Sequence, residues 1–104
     1  MRPARSDKLR VYFRPTATRT QERSDGDRLR GEPCVRRVVF VSKAQALKLM
    51  KKRFPGLYQA GQPTAGLNPF PDSFTVTAGK LSWVPTLGAA VAHWPGVDKV
   101  NWKT

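Results

Sequence analysis

The chain has 104 residues, of which 39% are apolar, so its length allows a single domain with one modest hydrophobic core. Its formal net charge is +12, and the excess lies in the first half: residues 1–53 hold 16 basic and 5 acidic side chains, whereas residues 54–104 hold 3 and 2. The single cysteine, Cys34, excludes an intrachain disulfide, and no apolar run approaches the roughly 18 residues that a membrane-spanning helix needs.

The first predicted elements are two strands with a polar segment between them. Leu9, Val11 and Phe13 alternate with Arg10, Tyr12 and Arg14, which predicts a strand with one buried face. Residues 16–32 are polar and charged, with Leu29 as their only large apolar side chain. Their position predicts a helix, although their composition favours one only weakly. The valine-rich run Cys34–Val41 predicts the second strand.

A helix is predicted directly after this second strand. Ser42 and Gln45 form a capping-box pattern, in which the side chain of each residue accepts a hydrogen bond from the backbone N–H of the other. Pro55 and Gly56 end the helix. Its apolar face is expected to consist of Ala46, Leu47, Met50 and Phe54.

The segment that follows, residues 56–72, is rich in glycine and proline yet carries several large apolar side chains. A lobe of about 30 residues cannot bury all the bulky side chains in this region. Some are therefore expected to form an exposed apolar patch, which usually marks a protein contact. Aromatic anchors in such a patch are typical binding hot spots. The side chains concerned are Phe54, Leu57, Tyr58, Leu67 and Phe70.

The last part of the chain predicts a strand, a helix and a final strand. Residues 73–77 alternate polar and apolar side chains, which predicts the first of these. Ser82 is a candidate helix cap, and Pro85 suits the first helical turn. Val97–Trp102 predicts the last strand. The helix is expected to bury one face that consists of Val84, Leu87, Val91 and Trp94.

One sequence pattern occurs twice. Residues 33–40 and 95–102 both read Pro, any residue, Val, any residue, basic, Val, any residue, aromatic. Each copy opens a strand after a helix, which predicts two βαβ halves packed as a split-βαβ, ferredoxin-like sheet with helices on one face. We therefore expect an α+β fold with an upper lobe from residues 9–42 and 73–102. A small helical or irregular lower lobe is inserted at about residues 43–72.

The sequence offers little for catalysis. His93 is the only histidine, and the seven carboxylates are scattered along the chain. The sequence shows no recognisable nucleophile motif and no glycine-rich phosphate loop. Potential metal ligands are too few and too dispersed for a metal cluster. We predict a protein that is not an enzyme and holds no cofactor or metal.

A polyanion-binding function is the alternative. Ferredoxin-like sheets bind single-stranded RNA through exposed aromatic rings, and Tyr12 and Phe40 could supply such rings. The glycine- and aromatic-rich run typical of RNA-binding sheets is absent from the sequence, so no nucleic acid is expected under the main interpretation. The alternative is a basic domain for RNA or an anionic surface, with Arg10, Arg14, Arg36 and Arg37 around the rings.

Four segments, which together span residues 9–102, carry a resemblance to a known family. They are the strand 9–15, Val-Phe-Val-Ser-Lys-Ala-Gln-Ala at 39–46, Asn-Pro-Phe-Pro-Asp-Ser-Phe at 68–74, and Trp-Pro-Gly-Val-Asp-Lys-Val at 94–100. In order and approximate spacing they resemble the extracytoplasmic domain of FtsX-type bacterial cell-division proteins. The polar segment 16–32 departs from the family, which has more apolar positions there, and the family's four membrane helices are not in this sequence.

The resemblance implies a function that the residues alone do not name. FtsX-type proteins resemble ABC transporter permeases, pair with the ATPase FtsE, and relay its ATP turnover to the extracytoplasmic domain. That domain binds and activates peptidoglycan hydrolases, or their coiled-coil adaptors, during septation. The resemblance thus implies a non-catalytic domain of a dimeric cell-membrane protein. In the family, the residues that contact hydrolases are exposed apolar residues of the lower lobe. The positions in this sequence that match them are Met50, Phe54, Leu57, Tyr58, Leu67 and Phe70.

Overall fold

The computed structural model describes residues 3–58 and 70–104, and the elements named below lie in these two ranges. The strands are β1 (Lys8–Phe13), β2 (Val35–Val41), β3 (Ser73–Ala78) and β4 (Val97–Trp102). The helices are α1 (Arg19–Arg30), α2 (Lys43–Arg53) and α3 (Val84–Val91). Two 3-10 turns occur, at Pro55–Tyr58 and Leu81–Trp83.

The strands form one antiparallel sheet in the order β2-β3-β1-β4. The two βαβ units are β1-α1-β2 and β3-α3-β4. In the sheet, the two strands of each unit are separated by one strand of the other: β3 lies between β1 and β2, and β1 lies between β3 and β4. This interleaved order is the split-βαβ arrangement. The α+β, ferredoxin-like fold that the sequence predicts is confirmed, and α2 is inserted between the second and third strands.

The hydrophobic core lies between the sheet and the helices that cover one of its faces. Leu9, Val11 and Phe13 of β1 are buried, as their alternating positions in the strand predict. The Phe74 ring of β3 contacts Phe13 and Phe40 edge-on, with ring centroids 5.4 and 5.5 Å apart. The other buried apolar side chains are Leu29, Val76, Ala78, Val84, Leu87, Val91 and Val97.

Helix α1 forms from the polar segment because its first turn is capped. The Thr18 hydroxyl accepts a hydrogen bond from the Gln21 N–H at 3.1 Å, and Gln21 Oε1 accepts from the Thr18 N–H at 3.1 Å. This is a second capping box. Its Thr-x-x-Gln signature is present in the sequence, so the start of α1 was predictable from residues 18–21.

The sequence repeat has a structural counterpart. Its two copies contain the edge strands β2 and β4. The offset of 62 residues between Pro33 and Pro95 also relates the buried positions of α1 to those of α3. The two βαβ halves therefore bury equivalent positions, but α1 places two carboxyl groups where α3 has apolar side chains. The equivalent buried residues are Glu22, Asp25, Gly26 and Leu29 in α1, and Val84, Leu87, Gly88 and Val91 in α3.

The start of α3 differs from its prediction. Ser82 lies inside the 3-10 turn that precedes the helix, and the N-cap residue is Trp83, which makes no side-chain capping bond. The Trp83 N–H donates to the Lys80 carbonyl at 3.1 Å. The prediction that Ser82 caps the helix is wrong, because the turn moves the helix start beyond it. Pro85 lies in the first helical turn, as predicted.

Helix α2 extends from the sheet without being packed into the core. Its predicted capping box is present: Ser42 Oγ accepts from the Gln45 N–H at 3.1 Å, and Gln45 Oε1 accepts from the Ser42 N–H at 3.0 Å. None of its residues is buried. Within the described part of the chain, it packs chiefly against the 3-10 turn Pro55–Tyr58 that follows it. A separate lower lobe at residues 43–72 stays a prediction.

Candidate functional site

The candidate site is an exposed apolar surface on α2 and the turn after it. Leu49 is 60% exposed, Phe54 48% and Leu57 53%. The N–H of Phe54 donates to the Met50 carbonyl at 2.8 Å, and the Phe54 carbonyl accepts from the Leu57 N–H at 3.1 Å. These bonds fix the backbone that carries the two side chains. We call Leu49, Phe54 and Leu57 the α2 apolar patch.

The six predicted partner-binding residues have different environments in the structure. Phe54 and Leu57 are exposed, whereas Met50 and Phe70 are half-buried. The half-buried pair therefore contributes to packing as well as to the surface. As partner contacts, all six positions stay predictions. Two of them lie outside what the structure describes, namely the side chain of Tyr58 and the whole of Leu67.

Leu49 is counted in the patch because it is exposed on the same helix, although the sequence-based prediction does not include it. It is the most exposed large apolar side chain among the described residues. Helical periodicity assigned the apolar face to the side of Met50, and Leu49 lies about 100° around the helix from it. An apolar residue beside Lys48, outside the apolar stripe, is the signal that could have identified Leu49 as a surface residue.

Basic side chains surround the end of α2. Lys51, Lys52 and Arg53 occupy its last turn and are exposed. Cations at this position complement the negative end of the helix dipole. An apolar centre with a charged rim is the usual anatomy of a protein–protein interface. The charge of this rim favours an acidic partner surface.

Asp72 connects α2 to the sheet. Its Oδ1 accepts from the backbone N–H of Lys43 at 2.7 Å, at the first residue of α2. Its carbonyl accepts from the N–H of Phe13 at 3.0 Å, at the end of β1. Beside Asp72 lies a cleft of about 180 Å³, whose lining includes Glu22 of α1 and Phe70. Asp72 therefore links the start of α2 to the end of β1 through two hydrogen bonds.

Glu22 and Asp72 form a carboxyl pair in this cleft. Glu22 is 8% exposed. Burial raises the pKa of Glu22 to about 7, helped by the hydrogen bond to Asp72 and by the charge of that carboxylate, while Lys43 and Arg19 lower it in part. Near neutral pH, the carboxyl group of Glu22 therefore stays protonated in a fraction of the molecules. In that form it donates a hydrogen bond to the carboxylate of Asp72. Loss of this proton as the pH rises is therefore expected to weaken the contact between Glu22 and Asp72.

The opposite face of the sheet is basic. Arg10 and Tyr12 of β1 point to this face, and Lys99 of β4 lies with its Nζ 5.6 Å from the centroid of the Tyr12 ring. Phe40 is paired across the strands with the core residue Phe74, so its ring lies on the helix-covered face. The polyanion-binding alternative would use both Tyr12 and Phe40, but the register of β2 places their rings on opposite faces of the sheet.

The remaining features concern metal ligands, membrane spans and the histidine in residues 3–58 and 70–104. In these ranges no group of three or more His, Cys, Asp or Glu side chains could hold a metal ion. The helices in the same ranges do not combine the length and apolar character needed to cross a membrane. His93 is exposed just after α3.

Comparison with known proteins places the chain in a family. A family model described as the FtsX extracellular domain matches residues 8–104. The fold is similar to extracellular domain 1 of FtsX from Streptococcus pneumoniae in complex with undecyl-maltoside, with a TM-score of 0.73, 20% identity, and coverage of 90% of this chain and 91% of that one. It is equally similar to the solution structure of the large extracellular loop of FtsX in the same organism, with a TM-score of 0.73, 20% identity, and coverage of 93% and 99%. No curated protein matches the sequence.

Proposed function

Because the chain belongs to the family of FtsX extracellular domains, we propose that it is the partner-binding domain of a permease-like cell-division protein of the cell membrane. The domain is non-catalytic and lies on the extracytoplasmic face. It binds a peptidoglycan hydrolase, or the coiled-coil adaptor of one, and activates it in response to ATP turnover by FtsE. The intact protein is a membrane-embedded dimer.

The α2 apolar patch carries this proposal. Its three side chains are each about half exposed, on a helix and turn that bury no described side chain. Complete removal of a large apolar side chain from water is worth roughly 1.5–3 kcal/mol, and the folded domain forgoes much of that gain here. A partner that covers the patch recovers it. The hydrogen-bonded turn at Phe54 and Leu57 presents both side chains on a fixed backbone, which lowers the entropic cost of docking.

The chemistry of the patch fits an amphipathic helical partner. A coiled-coil adaptor presents rows of apolar side chains flanked by charged ones. The apolar row would cover Phe54 and Leu57, and acidic flanking residues would face the basic last turn of α2. We propose that residues 43–72 act together as the lower lobe. Met50, Tyr58, Leu67 and Phe70 then complete its contact surface.

Polar substitution in the patch tests the proposal. Phe54→Ser and Leu57→Ser are each expected to weaken binding of the hydrolase or adaptor about tenfold, which is typical of an interface anchor. Both side chains are exposed, so the fold should survive. Isothermal titration calorimetry measures the affinity, and circular dichroism checks the fold of each variant.

Two control variants separate the proposal from its alternatives. Leu81→Ser makes the same kind of change on an exposed residue at the other end of the domain and should leave the affinity unchanged. Arg10→Glu removes a cation from the basic sheet face and should also have no effect. Full affinity for the hydrolase or adaptor in both patch variants, together with a loss in Arg10→Glu, would place the docking surface on the basic sheet face instead of on α2.

A further inference from the structure

Both ends of the described chain leave the sheet side by side. Leu9, near the start of β1, is paired with Trp102 at the end of β4. The N–H of Arg5 donates to the Lys103 carbonyl at 2.8 Å. The helix α2 lies at the opposite end of the sheet, because it follows β2, which runs parallel to β1. In an extracellular domain of a membrane protein, a connection to the membrane from either end would leave from the β1–β4 end.

The 3-10 turn Leu81–Trp83 lies at this same end. It follows β3, whose last residue, Ala78, donates its N–H to the Asp7 carbonyl at 2.8 Å, immediately before β1. Leu81 is 46% exposed and Trp83 38%. Two large apolar side chains on one three-residue turn therefore face solvent at the end from which the chain leaves the sheet.

The Trp83 ring has a defined position. A Cβ at Gly79 would lie 3.0 Å from Cζ3 of this ring, so the glycine allows the indole to pack against the backbone. The Nζ of Lys80 lies 5.1 Å from the ring centroid. Tryptophan is enriched at membrane–water interfaces, and lysine keeps its ammonium group in the headgroup region while its stem lies along apolar surface.

Exposed cations outnumber carboxylates around this turn. Each basic residue close to an anionic bilayer adds to the electrostatic attraction. Leucine, tryptophan and several cations at one end of a domain are the ingredients of interfacial membrane binding. The exposed cations are Arg5, Lys8, Lys80 and Lys103, and the half-buried carboxylates near them are Asp7 and Glu32.

We infer that the end of the domain formed by the turn Leu81–Trp83 and the paired chain ends rests on an anionic lipid bilayer. Leu81 and Trp83 enter the headgroup region, and the surrounding cations contact lipid phosphates. This contact is independent of the α2 apolar patch. It also orients the domain relative to the membrane: α2 lies at the opposite end of the sheet, so the α2 apolar patch is held away from the bilayer.

Vesicle binding by the 104-residue chain tests the inference. The probes are vesicles of phosphatidylcholine alone and vesicles of equal parts phosphatidylcholine and phosphatidylglycerol, used in co-sedimentation. We expect binding to the anionic vesicles only, weakened several-fold by Leu81→Ser and by Lys80→Glu. Both side chains are exposed, so these changes should not disturb folding. Leu57→Ser is the matched control and should bind as the unchanged chain does.

Tryptophan fluorescence gives a second measurement. Lipids brominated near the headgroup should quench the emission of the bound domain, and Trp83→Phe should remove most of this quenching while the variant still sediments with vesicles. Equal binding by Leu81→Ser and Leu57→Ser would overturn the inference, since attraction would then follow from net charge alone. Concentration-dependent self-association that Leu81→Ser abolishes would also overturn it, because the surface would then serve a second copy of the domain.

Discussion

Replacement of Gly26 by valine is expected to lower the free energy of unfolding by about 2–3 kcal/mol, through overpacking of the core. A Cβ at Gly26 would lie 2.8 Å from Cζ of Phe74, where α1 crosses the sheet. The Phe74 ring is buried, and Phe13 and Phe40 contact it edge-on, so it cannot move without disturbing both. Chemical denaturation measures the loss, and for a domain of this size the midpoint of thermal unfolding should fall by roughly 10–20 °C.

Ser24→Val is the matched control for this prediction. Ser24 is exposed on the same helix, and serine and valine have similar helix propensities, so the expected change is below about 0.5 kcal/mol. If the Gly26 and Ser24 variants were equally stable, the close approach of α1 to Phe74 would not explain the glycine. The equivalent glycine in α3, Gly88, has the same relation to the Trp102 ring, with 2.5 Å between a Cβ placed on the glycine and Cζ3.

The wild-type domain is expected to become less stable as the pH rises from 4.5 to about 7, and Glu22→Gln is expected to remove much of this loss. The pKa of Glu22 is raised from 4.5 to about 7 by burial and by Asp72. Between these values the folded state holds a proton that the unfolded state has released, so rising pH favours unfolding. The full shift corresponds to about 3 kcal/mol. Because the cleft admits water, a difference of about 1–2 kcal/mol is expected.

Denaturation by urea at about pH 5 and about pH 8 measures this effect. Part of the slope should persist in Glu22→Gln, because burial also raises the pKa of Asp25. Glu32→Gln, the same change outside the cleft, should leave the slope unchanged. A wild-type domain that is more stable at the higher pH would contradict the role assigned to the Glu22–Asp72 pair.

Those parts of the fold that depend on periodicity and repetition could be predicted from the sequence. The alternation in β1 identifies Leu9, Val11 and Phe13 as core residues, and all three are buried. The repeat predicts two βαβ halves, and the strand order β2-β3-β1-β4 confirms them. These predictions succeed because each side chain's direction follows directly from the strand or helix period.

Helix α1 could be predicted only in part. Its inward positions include Glu22 and Asp25, which hydrophobic periodicity does not recognise as buried. Their own side chains do not favour burial. They are buried because the Thr18–Gln21 cap fixes the start of α1 and Leu29 packs in the core, so that this face of the helix lies against the sheet. Asp25 Oδ2 has no hydrogen-bond partner within the described residues, and its burial raises the pKa of the carboxyl group. The sequence indicates that these positions are buried only when α1 is aligned with α3, whose equivalent residues are apolar.

The sequence indicated the region of exposed apolar side chains more accurately than it indicated the individual residues. Composition correctly indicated large apolar side chains at the surface after β2, as the exposure of Phe54 and Leu57 shows. The predicted set of partner-binding residues does not include Leu49, because helical spacing alone cannot show whether α2 packs against the sheet. That packing depends on the contacts of Asp72 and the turn after α2, which are tertiary features.

Hydrogen–deuterium exchange with and without the hydrolase or its adaptor tests the docking proposal most directly. We expect exchange to slow on binding in residues 44–58, which carry the α2 apolar patch. Exchange in the edge strand β4 and in the turn Leu81–Trp83 should not change. Protection confined to β4 and this turn, with none in residues 44–58, would contradict docking at α2.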